Sequence, residues 1–174
     1  MHAIVIDSVR THATAMPNRL AVGCCASGRR WSWADLDRAI DRAAAWLVGR
    51  FGEASAARIA TLSRNHPHML VLQLACVRAG AIFVPYNWRL ASAEIKALMD
   101  DAEPQLIFHD ADFTPPDYPA ERLLLADLET LGEPGTSAPA SARRGWDEPT
   151  TLLYTSGTSG RPKGVEVSEA NAFW

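Results

Sequence analysis

Short apolar runs alternate with helical segments along most of this chain, and this alternation restricts the fold more than any other feature of the sequence. Strand-like runs occupy residues 58–63, 81–86, 105–109 and 122–126, and helical segments with apolar stripes separate the first three. Strands separated by helices of this length indicate βαβ units and a parallel sheet. We therefore predict an α/β fold in which flanking helices cover a largely parallel sheet, with right-handed crossovers.

Local patterns predict where the helices begin and which residues they bury. Ser32 and Asp35 have the spacing of a capping box. The helix that follows has one apolar stripe, formed by Leu36, Ile40, Ala43, Ala44 and Leu47. Asn65 is predicted to cap another helix, with Pro67 in its first turn, where the missing N–H costs little. That helix is predicted to bury Leu70, Leu74 and Val77.

Composition excludes several classes of protein. Of the 174 residues, 48% are apolar and 21% are charged, and the net charge is −3. The combination of low hydrophobicity and high net charge that marks disordered chains is absent. No window approaches the ~20 uninterrupted apolar residues of a transmembrane helix, and the mild acidity gives no basic footprint for nucleic acid. We predict one ordered domain with no integral membrane segment and no nucleic-acid partner.

The three cysteines indicate a reducing environment. Their number is odd, and the N-terminus lacks the basic stretch and apolar core of a signal peptide. We therefore predict a cytoplasmic protein with reduced thiols. Cys24 and Cys25 lie in an apolar run that predicts a strand, where adjacent side chains point to opposite faces. We expect both of them, and Cys76, to be small buried apolar residues.

Residues 155–164, TSGTSGRPKG, carry groups that suit a polyphosphate. Glycines let backbone N–H groups turn inward and form an anion nest. Hydroxyls add donors and can offer an oxygen to Mg²⁺, and Lys163 adds a mobile positive charge. A Gly/Ser-rich linker would have a similar composition, but the strand-like runs at 150–154 and 165–167 favour a phosphate loop. The Walker A spacing is not met, because a proline precedes Lys163 and a glycine follows it.

Residues 154–164 resemble the signature loop of the AMP-forming adenylating enzymes, which include acyl-CoA synthetases, firefly luciferase and the adenylation domains of peptide synthetases. The usual form is Thr-Ser-Gly-Thr-Thr-Gly-x-Pro-Lys-Gly, and Ser159 here replaces the second consecutive threonine and keeps its hydroxyl. Residues 78–90 and 102–104 are similar to the acyl-CoA synthetase branch. The resemblance covers residues 6–174, which implies the N-terminal part of the large AMP-binding domain.

The resemblance implies a two-step ligase. A carboxylate attacks the α-phosphate of ATP to give an acyl-adenylate and pyrophosphate, and the thiol of coenzyme A then displaces AMP to give a thioester. The residues implied to bind the nucleotide phosphates offer hydroxyls, backbone N–H groups or charge: Thr155, Ser156, Gly157, Thr158, Ser159, Gly160, Lys163 and Gly164. Thr155 is also the implied contact for Mg²⁺. The catalytic residues are expected beyond Trp174, so we expect the 174 residues alone to be inactive.

The branch also implies a substrate, a fatty or other hydrophobic carboxylic acid, and a role in fatty acid metabolism. An incomplete sheet exposes strand edges and apolar surface, which predicts a homodimer or self-association. Residues 130–147, rich in Gly, Pro, Ser and Ala, are predicted to form a flexible loop. Two alternatives stay open: a non-catalytic nucleotide-binding or interaction module, and an amino-acid adenylation domain.

A few other positions carry side chains that are common in functional sites. Glu169 departs from the family, because many relatives have a histidine there, close to the active site. His66 and His68 are two apart at a predicted helix start, a spacing that does not favour a metal pair. His109 is predicted to lie in a solvated turn. Trp88 follows a strand, where α/β folds often bind ligands, but packing is the favoured role.

Overall fold

The computed structural model describes residues 7–139, 142, 145–155 and 162–173. In chain order its helices are α1 Ser8–Ala15, α2 Trp33–Phe51, α3 Pro67–Ala79, α4 Ser92–Ala102 and α5 Glu169–Phe173, with a 3₁₀ helix at Leu125–Glu129. Its strands are β1 Leu20–Gly23, β2 Arg30–Ser32, β3 Arg58–Leu62, β4 Ile82–Tyr86, β5 Leu106–His109, β6 Glu121–Leu124, β7 Pro149–Thr155 and β8 Lys163–Ser168. None of the described helices combines the length and the apolar composition needed to cross a lipid bilayer.

Six strands form one sheet in the order β6-β5-β3-β4-β7-β8, and the first five are parallel. β8 lies antiparallel to β7, and β1 pairs with β2 in a separate antiparallel hairpin. The predicted α/β fold with a largely parallel sheet is confirmed. After β3 the chain moves to β4 on one side, and after β4 it returns past β3 to β5 on the other side. Right-handed crossovers therefore place α3 and α4 on opposite faces of the sheet.

A separate apolar cluster covers each face of the sheet. The cluster under α2 and α3 includes the fully buried side chains of Leu72 and Phe108. The cluster under α4 includes Met99 and Ile107, which are also fully buried. Ile107 and Phe108 are neighbours on β5, so their side chains point to opposite faces. Burying one such side chain contributes about 1.5–3 kcal/mol, and the two clusters hold the helices against the sheet.

The start of α2 has the predicted capping box. The Ser32 hydroxyl accepts a hydrogen bond from the backbone N–H of Asp35 (3.2 Å), and the Asp35 carboxylate accepts one from the backbone N–H of Ser32 (3.0 Å). A further hydrogen bond from the Ser32 hydroxyl to the carboxylate lowers the pKa of Asp35. The predicted apolar stripe is confirmed, because all of its members are buried: Leu36, Ile40, Ala43, Ala44 and Leu47.

The helix α3 differs from its prediction in its cap and in its buried face. The cap is His66 rather than Asn65, and its Nδ1 atom accepts a hydrogen bond from the backbone N–H of His68 (3.2 Å). The residue before Pro67 is restricted to extended backbone, which suits a cap. The apolar residues that α3 buries are Val71, Leu72, Ala75, Cys76 and Ala79. The predicted residues Leu70, Leu74 and Val77 are only half-buried. Apolar residues lie on all sides of this helix, so periodicity could not select the buried face.

The environments of the three cysteines differ. β1 ends at Gly23, so Cys24 and Cys25 lie in the turn of the hairpin rather than on a strand. Cys25 is exposed and Cys24 is half-buried, whereas Cys76 is fully buried and burial raises the pKa of its thiol. The prediction of small buried apolar residues is therefore right for Cys76 and wrong for the other two, because the turn begins before the apolar run ends.

Ala142 ties the segment 130–147 to the rest of the fold. Its side chain is fully buried, and its carbonyl oxygen accepts a hydrogen bond from the backbone N–H of Ala54 (3.1 Å). Gly80, at φ +69°, lies directly against this pair, since an added Cβ would collide with the Ala142 carbonyl and lie 2.6 Å from the Ala54 Cα atom. The glycine leaves room for the close approach. The flexibility of the segment as a whole stays a prediction.

Candidate functional site

The two strands β7 and β8 bring the ends of the predicted phosphate loop together. Thr155 at the end of β7 pairs with Lys163 at the start of β8, and the Thr155 hydroxyl lies 3.5 Å from the Lys163 carbonyl oxygen. Gly164 lies next on β8. The remaining predicted site residues lie outside the described residues: Ser156, Gly157, Thr158, Ser159 and Gly160. The predicted loop is thus the connection of an antiparallel pair of strands.

Thr155 and Lys163, the two ends of this connection, lie at the carboxyl edge of the parallel strands. β7 runs parallel to β4, with Thr151 paired to Phe83, and Thr155 is its last residue. Ligands of open α/β sheets bind in the crevice outside the carboxyl ends of the strands. The fold therefore presents Thr155 and Lys163 at the edge where a ligand is expected.

Tyr154 anchors the base of the loop to α4. Its hydroxyl donates a hydrogen bond to the Asp101 carboxylate (2.6 Å) and lies 3.5 Å from the Leu98 carbonyl oxygen. Burial and then the bond to Asp101 raise the pKa of Tyr154, so the phenol stays protonated and continues to donate. Gly164, opposite Tyr154, packs closely on β7, since an added Cβ would lie 3.0 Å from the Leu152 Cδ1 atom. Packing and hydrogen bonding thus fix this end of β7.

The Lys163 side chain is available for an anionic ligand. It is exposed, and within the described part of the chain its ammonium group forms no ion pair. Lys96, the other lysine of the sequence, lies on α4 and pairs with Asp100. Lys163 therefore supplies a positive charge at the carboxyl edge that no described carboxylate neutralises.

A second group of cations lies just beyond the ends of β3 and β4. The Arg64 guanidinium lies 5.1 Å from the Trp88 ring centroid and 5.0 Å from that of Phe113, and Arg89 lies 4.2 Å from the Trp88 ring. Trp88 is half-buried and packs against Phe113 at 5.5 Å, so the packing predicted for it is present. β3 and β4 are neighbours whose following helices lie on opposite faces, the arrangement at which α/β sheets form a ligand crevice.

Arg64 was missed by the sequence analysis. Arg64 lies two residues after β3, just as Trp88 lies two residues after β4. This equivalent position was the signal in the sequence that could have identified it. Its contacts with Trp88 and Phe113 depend on the order of the strands, which the sequence does not show.

The histidine candidates have structural partners. The His66 and His68 rings are 4.5 Å apart, but the described residues contain no group of three His, Cys, Asp or Glu side chains arranged to hold a metal ion. The His68 Nε2 atom lies 2.7 Å from the Glu129 carboxylate. His109 Nδ1 lies 2.9 Å from the Asp110 carbonyl oxygen. The solvated turn predicted for His109 is wrong, because His109 is the half-buried last residue of β5 and the turn follows it.

Glu169 lies far from the phosphate loop. It follows Ser168, which pairs with Pro149 at the amino-terminal end of β7, whereas Lys163 lies at the other end of β8. Five steps along a strand span about 17 Å. Glu169 instead lines a groove on the α3 face of the sheet, beside Leu74. β8 therefore separates Glu169 from Thr155 and Lys163. Its nearness to an active site, which the resemblance implies, stays a prediction.

A magnesium ion would fit at Thr155. Mg²⁺ is usually held by one or two carboxylates together with waters and substrate phosphates, and a threonine hydroxyl can also offer an oxygen. The Thr155 hydroxyl is exposed, and its hydrogen bond to the Lys163 carbonyl is at the limit of hydrogen-bond length, so its oxygen is accessible. The Thr155 hydroxyl is therefore a candidate oxygen ligand for a magnesium ion.

Comparison with known proteins agrees with this geometry. The chain belongs to the AMP-binding enzyme family, whose model matches residues 9–174. The indoleacetate–CoA ligase of Aromatoleum aromaticum is 32% identical, over 94% of this chain and 34% of that enzyme. A feruloyl-CoA synthase of an Amycolatopsis species is 33% identical, over 94% of this chain and 32% of that protein. The chain thus spans about a third of the length of these relatives.

Solved structures share the fold. The o-succinylbenzoate coenzyme A synthetase of Bacillus subtilis, in complex with AMP, matches with a TM-score of 0.80 and 25% identity, over 95% of this chain and 42% of that chain. The N-terminal subdomain of Klebsiella oxytoca NpsA matches with a TM-score of 0.76 and 20% identity, over 92% of this chain and 41% of that chain. At 20% identity, the likeness to the NpsA subdomain concerns the fold alone. The resemblance to the adenylating enzymes is confirmed.

Proposed function

We propose that this chain forms the phosphate-binding part of an ATP-dependent carboxylate–CoA ligase. The observation that carries the proposal is the meeting of Thr155 and Lys163 at the carboxyl edge of the sheet, with the loop 156–162 between them. In the first step a carboxylate attacks the α-phosphate of ATP and pyrophosphate leaves. In the second step the thiol of coenzyme A displaces AMP. Such chemistry depends on positioning and on stabilising the charge that develops.

The loop acts on the phosphates that leave. As the bond to the α-phosphate breaks, negative charge builds on pyrophosphate, and the Lys163 ammonium balances it. The other proposed contacts donate from hydroxyls or backbone N–H groups: Thr155, Ser156, Gly157, Thr158, Ser159, Gly160 and Gly164. Mg²⁺, when bound, supplies further charge neutralisation, and the Thr155 hydroxyl is the group that we expect to hold it. The tie between Tyr154 and α4 keeps the start of this loop in place.

The proposed substrate is a hydrophobic carboxylic acid, and aromatic acids are the first candidates to test. The names of three relatives specify indoleacetate, ferulate and succinylbenzoate, which all combine an aromatic ring with a carboxylate. A further relative is a fatty acid–[acyl-carrier-protein] ligase from Streptomyces coeruleorubidus, so fatty acids belong in the same panel. A requirement for coenzyme A in product formation distinguishes this proposal from an amino-acid adenylation domain.

The test is acid-dependent exchange of labelled pyrophosphate into ATP by the whole native protein. Lys163→Ala removes one charged contact to phosphate, worth about 1.5–3 kcal/mol. We expect kcat/KM for ATP to fall roughly ten- to hundredfold. Lys96→Ala is the matched control, because Lys96 pairs with Asp100 on α4, and its ATP kinetics should be unchanged.

Two results would contradict the proposal. Unchanged ATP kinetics in a well-folded Lys163→Ala variant would show that Lys163 does not bind ATP. Absence of exchange with every acid of the panel would rule out the proposed ligase activity.

We also propose that the 174 residues alone do not complete the reaction, since they span about a third of the relatives' length. The catalytic groups are expected in the remaining two thirds. The cytoplasmic location predicted from the cysteines stays a prediction.

A further inference from the structure

A cavity of about 440 Å³ lies between β2, α2, the start of α3 and the 3₁₀ helix. None of the residues that line it lies on β7 or β8, so it is separate from the phosphate loop. Four guanidinium groups line it: Arg29, Arg30, Arg38 and Arg42. Its volume is typical of a small-molecule site.

The positive charge of this cavity is only partly neutralised. Its two carboxylates are already engaged, because Glu129 pairs with Arg29 and Asp35 pairs with Arg38 at 2.7 Å. Arg30 and Arg42 form no ion pair within residues 7–139, 142, 145–155 and 162–173. The cavity therefore has two uncompensated cations in a chain whose net charge is −3.

Buried donors without acceptors lie around the same cavity. Trp31 is 6% exposed, and neither its indole N–H nor the Nε of Arg42 has a hydrogen-bond partner among the residues that the structure describes. An unsatisfied buried donor costs about 1–3 kcal/mol, so such groups need an explanation, and an absent ligand is one. His68 packs against Trp31, with the ring centroids 5.6 Å apart, and burial lowers its pKa. Its neutral imidazole adds no charge at neutral pH, so the surplus comes from the arginines.

We propose that this cavity binds a phosphate dianion, carried by a small phosphate monoester or free as inorganic phosphate, with Arg30 and Arg42 as its ligands. The planar guanidinium matches two phosphate oxygens at once. A phosphate monoester carries about −1.5 to −2 at pH 7, which matches two unpaired cations. This site is separate from the proposed ATP-binding loop and shares no residue with it.

The experiment is a titration of the native protein with inorganic phosphate and, separately, with glycerol 3-phosphate. Sodium chloride keeps the ionic strength constant. The readout is the indole proton resonance of Trp31, which Trp31→Phe identifies by its loss. We expect a saturable shift, and we expect Arg30→Gln and Arg42→Gln each to weaken binding roughly tenfold or more. The probe that binds more tightly shows whether a monoester or the free ion is the ligand.

Two controls separate this site from others. Arg50→Gln removes an exposed arginine of α2 that pairs with Glu121 outside the cavity, and it should leave the affinity unchanged.

The titration is repeated in Lys163→Ala, because the phosphate loop also suits phosphate. A Trp31 shift that persists there, and is lost in Arg42→Gln, supports the cavity. A shift that disappears with Lys163→Ala, that chloride alone reproduces, or that Arg50→Gln weakens equally would overturn it. This outcome is independent of pyrophosphate exchange, which reports on the proposed function.

Discussion

Arg78 connects three helices through one buried guanidinium. It lies on α3 and donates hydrogen bonds to Asp7 at the start of α1 (2.8 Å) and to Asp37 (2.6 Å) and Asp41 (2.7 Å) of α2. Burial disfavours its charge, but the hydrogen bonds and charges of these carboxylates outweigh burial and raise the pKa of Arg78. The side chain is 8% exposed. Removing it leaves three carboxylates close together, and only the more exposed Arg10 still pairs with two of them, Asp37 and Asp41.

Arg78→Met should therefore destabilise the protein strongly. Breaking a buried ion pair by removing one partner costs about 3–5 kcal/mol, and we expect a loss of that size in the free energy of unfolding, measured by urea titration. Arg50→Met is the matched control, because Arg50 forms an exposed pair with Glu121, and such pairs contribute about 1 kcal/mol or less. Equal losses for the two variants would show that the Arg78 cluster adds nothing beyond a surface pair.

Single residues differ in how well the sequence predicts their surroundings. Thr155 and Lys163 were predicted together because their site is local, with both groups in one ten-residue segment between strands. The ion-pair cluster around Arg78 was not predicted, because its partner Asp7 is 71 positions away in the sequence. Only the packing of the helices brings Asp7 close to Arg78. Five of the predicted site residues in the loop lie outside the described residues, so their roles stay predictions.

At the scale of elements, the pattern of apolar residues predicted α2 better than α3. One face of α2 is apolar, and its buried face matched the prediction. α3 is apolar on several sides because it packs against α2, the sheet and the 3₁₀ helix at once. Periodicity identifies a buried face only where the opposite face is polar. The order of the strands, which places Arg64 beside Trp88, was likewise beyond local patterns.

Gly80 tests how closely the end of α3 packs on the segment 130–147. It ends the helix in the left-handed region, at φ +69°, against Ala54 and Ala142. Gly80→Ala should cost about 1–2 kcal/mol for the left-handed backbone and a further 1–3 kcal/mol for overpacking. Chemical unfolding measures the sum.

Gly28→Ala provides the comparison for this prediction. Gly28 has nearly the same φ, +70°, but an added Cβ there would meet nothing within 4 Å. This variant should lose only the backbone contribution of about 1–2 kcal/mol. If both variants lost the same free energy, the contact between Gly80 and Ala142 would not contribute to stability.

At the scale of the whole molecule, the sheet leaves an apolar pair exposed beside an edge strand. Leu153 is 40% exposed and Val165 is 44% exposed, and they pair directly across β7 and β8. β8 is the last strand on that side among the described residues. Exposed apolar residues at a sheet edge favour association between copies, which agrees with the predicted self-association.

Light scattering of the 174-residue chain should show an apparent mass that rises with concentration. Replacing both Leu153 and Val165 by threonine should reduce this rise. Leu20→Thr is the control, because Leu20 is equally exposed, at 44%, but lies on the separate hairpin. A constant monomer mass for the unmodified chain, or an equal effect of Leu20→Thr, would contradict the assignment of this surface.

In the proposed function, the loop between β7 and β8 belongs to an enzyme that activates a carboxylate at the α-phosphate of ATP. The most direct measurement uses an acid with ¹⁸O-labelled carboxylate oxygens, incubated with the whole protein, Mg²⁺, ATP and coenzyme A. We expect AMP that contains one labelled oxygen, formed together with the thioester, because the carboxylate oxygen that attacks phosphorus stays bonded to it. Formation of ADP, or of AMP without label, would contradict it.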